Sequence, residues 1–454
     1  MLPPAPAAAP GARVPRRKHS GTSFNAYSGG RQFPQTTESL KRAPRCDDDG
    51  LPLSDENLLH VFSGSLGTAD LVRCAATCRR WRRLVSSEAG FICRSAPSAE
   101  ERHATGLAVG FFHKGAAENG GAHAPPRFVP LGPRFRDAAL DAIFDGEPFR
   151  SSTVVASRKG RLVLEYRRVS RAAILRLAVC NPMTGDVSVL PALSGKDKPG
   201  HYACALLTAD DFEADAADPP RSGGSAFRLV LVYNRRNFTA SRSFSSDAGA
   251  WAPEGKVSGA KITSKNIERM HRNAAVAVRG AVFWLAKCAV VGLHVGTLEA
   301  TVQVLPCDYR PCLCHGLVVE KRVLTATPDG RLCVAEGWLA HGTMLRLLFG
   351  DGSSVQSGNR FSKDETKMAV RLEPPLPDRT SGSICLQGVC EKSGVVFFAA
   401  GNNRQLLYAL DMEKKEARLI LAAAPDDGRW CRPPVLGWFH AYEMDRVAYL
   451  TSLG

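Results

Sequence analysis

The densest group of metal-capable side chains in this sequence is Cys307, Cys312, Cys314 and His315. Thiolates and imidazole at short range are zinc chemistry, but a zinc site takes ligand pairs about two to four residues apart from two separate segments. No second pair accompanies this one. On a strand Cys312 and Cys314 would face one way and His315 the other, so small buried thiols and a loop are expected. Asp210, Asp211, Glu213, Asp215 and Asp218 offer oxygen ligands for calcium. They lack the spacing and turn glycine of a calcium loop, and a solvated acidic loop is expected. Cys74 and Cys78 stand one helical turn apart and are expected on a buried helix face. Trp251 and Trp338, with Arg235, Arg236, Arg404 and Arg429, are the residue types of a protein-recognition surface, although each Trp packing its own sheet is the favoured expectation. The sequence contains no nucleophile elbow, phosphate loop, dinucleotide fingerprint or His-Glu-x-x-His motif. No catalytic residue, cofactor or metal is expected.

The elements that would position such residues belong to an ordinary globular chain. It has 454 residues, 44% hydrophobic and 23% charged, which argues against wholesale disorder. The net charge of +15 raises nucleic acid or an acidic membrane as partners. Residues 1–50 hold +4 of it and residues 51–100 only +1; the rest is dilute. A nucleic-acid groove concentrates charge and interleaves aromatics, so neither nucleic acid nor membrane is expected. Fourteen cysteines would suit a disulfide framework, but the chain is long enough to bury a core without staples. The opening Met1-Leu2-Pro3-Pro4 is broken by prolines, and its basic cluster follows the apolar stretch, the wrong order for a signal peptide. Reduced thiols in the cytoplasm or nucleus are expected. The longest apolar run, Ala281 to Val295, contains Lys287 and His294 and reads as strands.

Residues 1–50, rich in Pro, Ala, Gly, Ser and Arg, read as a disordered basic tail. Within it, Arg16-Arg17-Lys18 and Lys41-Arg42 have the composition of nuclear-import signals, and the lack of acids before Glu38 that of an organelle transit peptide. Residues 51–96 then turn helical. Ser54 is placed to cap a helix opening with Asp55 and Glu56 and carrying Leu58, Leu59, Val61, Phe62 and Leu66 at helical spacing. Thr68 is placed to cap a second helix in which Leu71, Cys74/Ala75, Cys78, Trp81 and Leu84/Val85 recur every three or four residues. So short a helical unit cannot bury both faces and is expected to dock on something.

The series Leu51-Pro52, Leu58-Leu59-His60-Val61-Phe62, Ala69-Asp70-Leu71-Val72-Arg73-Cys74 and Cys78-Arg79-Arg80-Trp81-Arg82-Arg83-Leu84-Val85 resembles an F-box. His60 stands where that family usually has an acid, and Ser65-Leu66-Gly67 replaces its common Arg-Leu-Pro. The resemblance implies docking on a Skp-type adaptor, and through it a cullin. Leu51, Pro52, Leu59, Val61, Phe62, Leu71 and Trp81 would form or support the adaptor surface.

Beyond residue 150 short apolar runs alternate with Gly, Asp, Asn and Pro turns. Gly160, Gly224, Gly280, Gly330 and Gly394 each precede a strand pattern, and second hairpins such as Asn181-Pro182-Met183-Thr184-Gly185 follow several of them. Two hairpins per unit make a four-stranded sheet. Repeated at about 50 residues, this predicts a β-propeller of six or seven blades. Cys180-Asn181-Pro182-Met183-Thr184-Gly185, Gly110-Phe111-Phe112-His113, Phe227-Arg228-Leu229-Val230-Leu231-Val232-Tyr233 and the ending Tyr442-Glu443-Met444-Asp445-Arg446 resemble the kelch-like F-box-associated propeller domains of plant, especially grass, F-box proteins. The expected organisation is a tail at 1–50, an F-box at 51–96 and a propeller at 104–454. The combined resemblance implies a non-catalytic substrate receptor of a ubiquitin ligase that recruits an unknown target protein. An adaptor-binding scaffold that directs no ubiquitination, or a propeller enzyme with its site on separated loops, are the other readings.

Overall fold

Ser54 opens the first helix where the spacing places it. Its hydroxyl accepts from the Asn57 backbone N–H (3.3 Å) and its carbonyl from that of Leu58 (3.0 Å). Asp55 and Glu56 occupy the first turn of α1 (Asp55–Gly64), where the helix dipole favours acids. The computed structural model describes residues 53–64, 66–94, 107–114, 125–132, 140–166, 174–208, 211, 226–271, 273–286, 289–305, 322–326, 331–339, 343–350, 361–373, 384–400, 406–412, 414–422 and 439–454. Outside them lie the tail at 1–50, Leu51, Pro52, Asp210, Glu213, Asp215, Asp218, Gly224, Cys307, Cys312, Cys314, His315, Gly330, Arg404 and Arg429.

The second helix departs from its periodicity. Cys78 is extended (φ −153°, ψ 167°) and divides the run into α2 (Thr68–Thr77) and α3 (Arg79–Ser87). The apolar spacing crosses the break unchanged because both pieces face the same core. The Cys78 sulfur accepts from the Trp81 N–H (3.4 Å), so a thiol caps α3. Thr68 is not a cap. Gly67 holds that position and its carbonyl accepts from Asp70 and Leu71 N–H. A fourth helix, α4 (Ala89–Arg94), completes the unit.

The remainder is mainly β. The first sheet places Ala108–Lys114 between Pro126–Pro130 and the C-terminal strand Phe439–Glu443, with Phe112 opposite His440. The second runs Thr153–Arg158, Arg161–Glu165, Leu177–Asn181 and Asp186–Val189. The third is built on Tyr202–Thr208, Phe227–Asn234 and Thr239–Ser245, with the short strands Ala250–Trp251 and Gly255–Lys256 on its outer side. The fourth holds Val276–Val278, Ala281–Ala286, Ala289–His294 and Glu299–Val304, edged by Ser258–Gly259. Helix α5 (Ser264–Met270) packs Ile267 and Met270 into the core between the third and fourth sheets.

The fifth sheet has eight strands. Arg322–Ala326, Leu332–Leu339, Thr343–Gly350 and Phe361–Glu373 continue through Glu416–Ala422, Leu406–Asp411 and Val395–Ala400 to Cys385–Val389. The arrangement is propeller-like, but the expected six or seven blades are not matched. Among the described residues there are five sheets of three or more strands. The reason is local: the 13-residue strand Phe361–Glu373 runs past its hairpin partner and pairs in parallel with Glu416–Ala422, fusing two four-stranded arrays into one ladder.

Apolar clusters fill the spaces between successive sheets. One joins Val179 and Leu206, another Val232 and Trp284, a third Phe111 and Phe397. The first sheet closes the ring because it holds both the first and the last strand of the β domain. On the other side of the strand Ala108–Lys114, pairing with Pro126–Pro130 needs Gly110, where a Cβ would collide with the Val129 carbonyl oxygen and the Phe128 ring. Turn glycines start strands as their spacing predicts. Lys159-Gly160 (φ 46° and 75°) and Arg279-Gly280 (φ 48° and 73°) both occupy the left-handed region that tight hairpins require. Residues 46–454 form one compact unit. Among the described residues no helix is long and apolar enough to cross a membrane.

Candidate functional site

Two places in the described structure carry unusual chemistry, one on the helical unit and one at the centre of the sheets. In the helical unit Leu58, Phe62, Leu71, Ala75, Leu84, Val85, Ala89 and Ile92 form a common core. Trp81 lies at its margin, edge-on to Phe62 at 5.4 Å. Phe62 and Leu71 are therefore internal supports, with Leu59 half-buried beside them. Val61 is 54% exposed and Leu53 40%. These are two of the six exposed large apolar side chains among the described residues, Val61 in the last turn of α1 and Leu53 just ahead of its first, at the N-terminal end. Arg80 fixes that end, donating to Asp55 (2.9 Å) and to the Leu53 carbonyl (2.5 Å).

Part of this unit is covered from within the chain. Helix α6 (Arg446–Thr451), capped by Asp445, inserts Leu450 into the same core, flanked by Val447 and Leu453. Arg446 donates to the Leu66 carbonyl (2.9 Å). Helix α6 thus completes the core of the helical module, while Val61 stays exposed.

At the centre, residues 157–159, 273–276, 323–324, 387–391, 439–441 and 443 line a cavity of about 60 Å³. Arg158, at the end of its strand, points inward with its side chain 6% exposed. Its Nε donates to Glu391 (2.9 Å), and Nη1 and Nη2 donate to Asp211 (2.5 and 2.9 Å). Nη1 also reaches the Leu206 carbonyl (3.1 Å). One guanidinium thus ties the second sheet to the third and fifth. Lys159 adds bonds to Thr208 (2.9 Å) and Asp211 (3.2 Å). Burial opposes the Arg158 charge, but Glu391 and Asp211 outweigh it and hold its pKa above the ordinary value. Burial pushes the Asp211 carboxyl up and its bonds from Arg158 pull it down, for a net value of about 2. Glu443 is buried and pushed above the usual carboxylate range by desolvation, against the pull of the Lys392 and Ser393 backbone N–H groups it accepts from.

This hub was not foreseen in the residue patterns. Asp211, expected in a solvated acidic loop, is instead 10% exposed in its side chain and paired with Arg158. The available signal is charge just before a turn glycine: Arg158-Lys159-Gly160 and Glu391-Lys392-Ser393-Gly394 carry it at hairpins that point inward. Trp251 packs against its own sheet, the favoured expectation: its ring meets Phe244 (5.5 Å) and its Nε1–H donates to the Pro191 carbonyl (2.7 Å). Arg235 stacks on Tyr233 and is held by Glu254 at 2.5 Å. Trp338 lies on the strand Leu332–Leu339. Asn181 builds the hairpin its motif implies: its Oδ1 accepts from Met183 N–H (3.0 Å) and its carbonyl from Gly185 N–H (2.9 Å). Burial pushes the Cys180, Cys204 and Cys333 thiols up to about 12, which makes them packing groups rather than nucleophiles. Cys74 and Cys78 are only half-buried, at the edge of the helical core. No group of three or more His, Cys, Asp or Glu among the described residues is arranged to hold a metal ion.

A family model described as F-box-like matches residues 55–90, and one described as Domain of unknown function (DUF7595) matches residues 133–431. No curated protein matches the chain significantly. Similar solved structures include a protein of unknown function from Dyadobacter fermentans DSM 18053, at 12% identity over 64% of this chain and 81% of that one, with a TM-score of 0.29. The Penicillium chrysogenum alpha-L-arabinanase complexed with arabinobiose is 10% identical over 65% and 87%, TM-score 0.31. Apo AztD from Citrobacter koseri is 9% identical over 73% and 84%, TM-score 0.31. Likenesses this low carry no argument about this chain.

Proposed function

The chain belongs to the DUF7595 family and carries an F-box-like module ahead of that domain; from this premise we propose that it is a substrate-receptor subunit of a Skp–cullin–F-box ubiquitin ligase. The reading is carried by one observation: the F-box-like helices leave the apolar side chains of Val61 and Leu53 exposed to solvent above a packed core. Exposed apolar side chains above a packed interior suit an apolar protein partner. In this reading Leu51, Pro52, Leu59 and Val61 meet a Skp-type adaptor, and Phe62, Leu71 and Trp81 hold that surface from behind.

The propeller-like domain, of the plant F-box-associated kind on this reading, holds a target protein near the ubiquitin-transferring enzymes. Proximity raises the transfer rate, and the chemistry belongs to the partners, so this chain is no enzyme itself. The protein works in the cytoplasm or nucleus, where its free thiols stay reduced.

The test is affinity purification of the full chain with a Skp-type adaptor. The adaptor is expected to co-purify with the wild type and to be lost with Val61→Asp, while far-UV circular dichroism stays unchanged. A wild-type chain that retains no adaptor, or a Val61→Asp chain that retains it fully, overturns the reading.

A further inference from the structure

Hydrogen-bonding capacity at the hub is unevenly spent. The cationic donors are engaged: Arg158 bonds Glu391, Asp211 and the Leu206 carbonyl, and Lys159 bonds Thr208 and Asp211. The acceptors are not all engaged. Gln387 lines the cavity at 4% exposure. Its Nε2 donates to the Cys385 carbonyl (3.3 Å) and sulfur (3.2 Å), but its Oε1 has no hydrogen-bond partner. An unmet acceptor in so dry a place is costly unless something fills it.

The charges point the same way. Two cations, Arg158 and Lys159, stand with three carboxylates, Asp211, Glu391 and Glu443. Glu443 is 7% exposed and draws its bonds from the Lys392 and Ser393 backbone N–H groups, while the Lys392 residue itself is exposed at the surface. Ionised, those five groups sum to one excess negative charge beside the unpaired Gln387 carbonyl oxygen; His440 also lines the cavity and is left out of that sum. A small anion would find the positive donors occupied. A divalent metal would have to displace Arg158 from Glu391 to reach more than one carboxylate. A cavity of about 60 Å³ holds a few water-sized groups, too few for a sugar ring or a nucleotide.

We propose that the hub is a binding site for a single primary ammonium group, with Gln387 Oε1 and the Glu443 carboxylate accepting its N–H bonds and Glu391 supplying further negative charge. The group is either a small free amine or the end of a lysine side chain presented by another protein. The site does not rest on the adaptor reading, because it lies in the β domain and is assayed without an adaptor.

The test uses the purified full-length chain, with thermal unfolding and titration calorimetry in methylammonium chloride against NaCl of equal ionic strength. Methylammonium is expected to raise Tm saturably, and tetramethylammonium, equally charged but without N–H donors, is not. Gln387→Leu is expected to weaken methylammonium binding about tenfold or more, the size of one hydrogen bond to a charged group. Glu443→Gln is expected to weaken it likewise. If that variant does not fold, the Gln387→Leu result and the tetramethylammonium control decide the matter alone. Binding of Nα-acetyl-lysine amide as well as methylammonium identifies a protein lysine as the source, and binding of methylammonium alone identifies a free amine. The proposal is overturned if no primary ammonium acts beyond NaCl, or if Gln387→Leu binds methylammonium as the wild type does; the hub then holds only water.

Discussion

The helical module and the propeller hub break the usual inside–outside rule in opposite directions. The module leaves Val61 and Leu53 in solvent above a core of Leu58 and Phe62, whereas the hub keeps Arg158, Asp211 and Glu443 away from solvent. Apolar surface in water is relieved by a second surface, so the module's exception points outward to a partner. Charge in a dry interior is relieved only by opposite charge or donors close at hand, so the hub's exception points inward to its own sheets and to what fills the cavity. The module is also held by short-range helix contacts plus one distant helix, α6, while the hub ties residues 48 and 233 positions apart through a single guanidinium.

The contrast breaks most visibly at Arg158. Arg158→Met strands Asp211 and Glu391 in the interior and is expected to cost about 3–5 kcal/mol of unfolding free energy in urea titration. A cost below about 1 kcal/mol would mean that water already screens the hub. Leu450→Ala is expected to cost about 3 kcal/mol, and to do so in the helical module. Hydrogen exchange should quicken in α1 to α4 while amides of the second and third sheets keep their protection. Uniform loss across both regions would show that they unfold as one.

Acid sharpens the comparison. Asp211 is held at about 2 against an ordinary 3.8, so its stabilisation is complete above pH 4 and disappears as the pH falls through about 2. The contribution is about 2 kcal/mol, and Asp211→Asn should flatten that part of the stability–pH curve. Tyr442→Phe removes the bond from its hydroxyl to the Gly160 carbonyl (3.0 Å) and should cost about 1 kcal/mol in the same urea assay. Val61→Asp, which is expected to abolish adaptor binding, should change stability by less than about 0.5 kcal/mol because the side chain touches little of the core.

How far these features are legible in the residues depends on range. Ser54 as a cap, Lys159-Gly160 and Arg279-Gly280 as turns, and Asn181 as a hairpin former all act within a few positions, and the structure holds each where the pattern places it. The break at Cys78 escapes the same kind of pattern because apolar spacing reports which face is buried, not whether the backbone is continuous. Trp251 packs on Phe244 and Pro191, as a Trp beside a turn of its own sheet is expected to, because so large an apolar ring is buried by its nearest neighbours. Asp211 reads as one acid among several, because nothing near it in the chain announces Arg158, 53 positions away.

By itself the sequence determined the order of the parts: a helical unit with the F-box pattern, then a β domain punctuated by turn glycines. Those are consequences of local dihedral preference and periodic burial, which neighbouring residues set among themselves. Only the tertiary structure decided that five sheets form where six or seven were expected, because strand Phe361–Glu373 is long enough to join two arrays. It also decided that Leu450 completes the helical module, and that Arg158, Asp211, Glu391 and Glu443 meet around one cavity. Charges far apart in the chain acquire strength only where folding brings them together and removes the water between them.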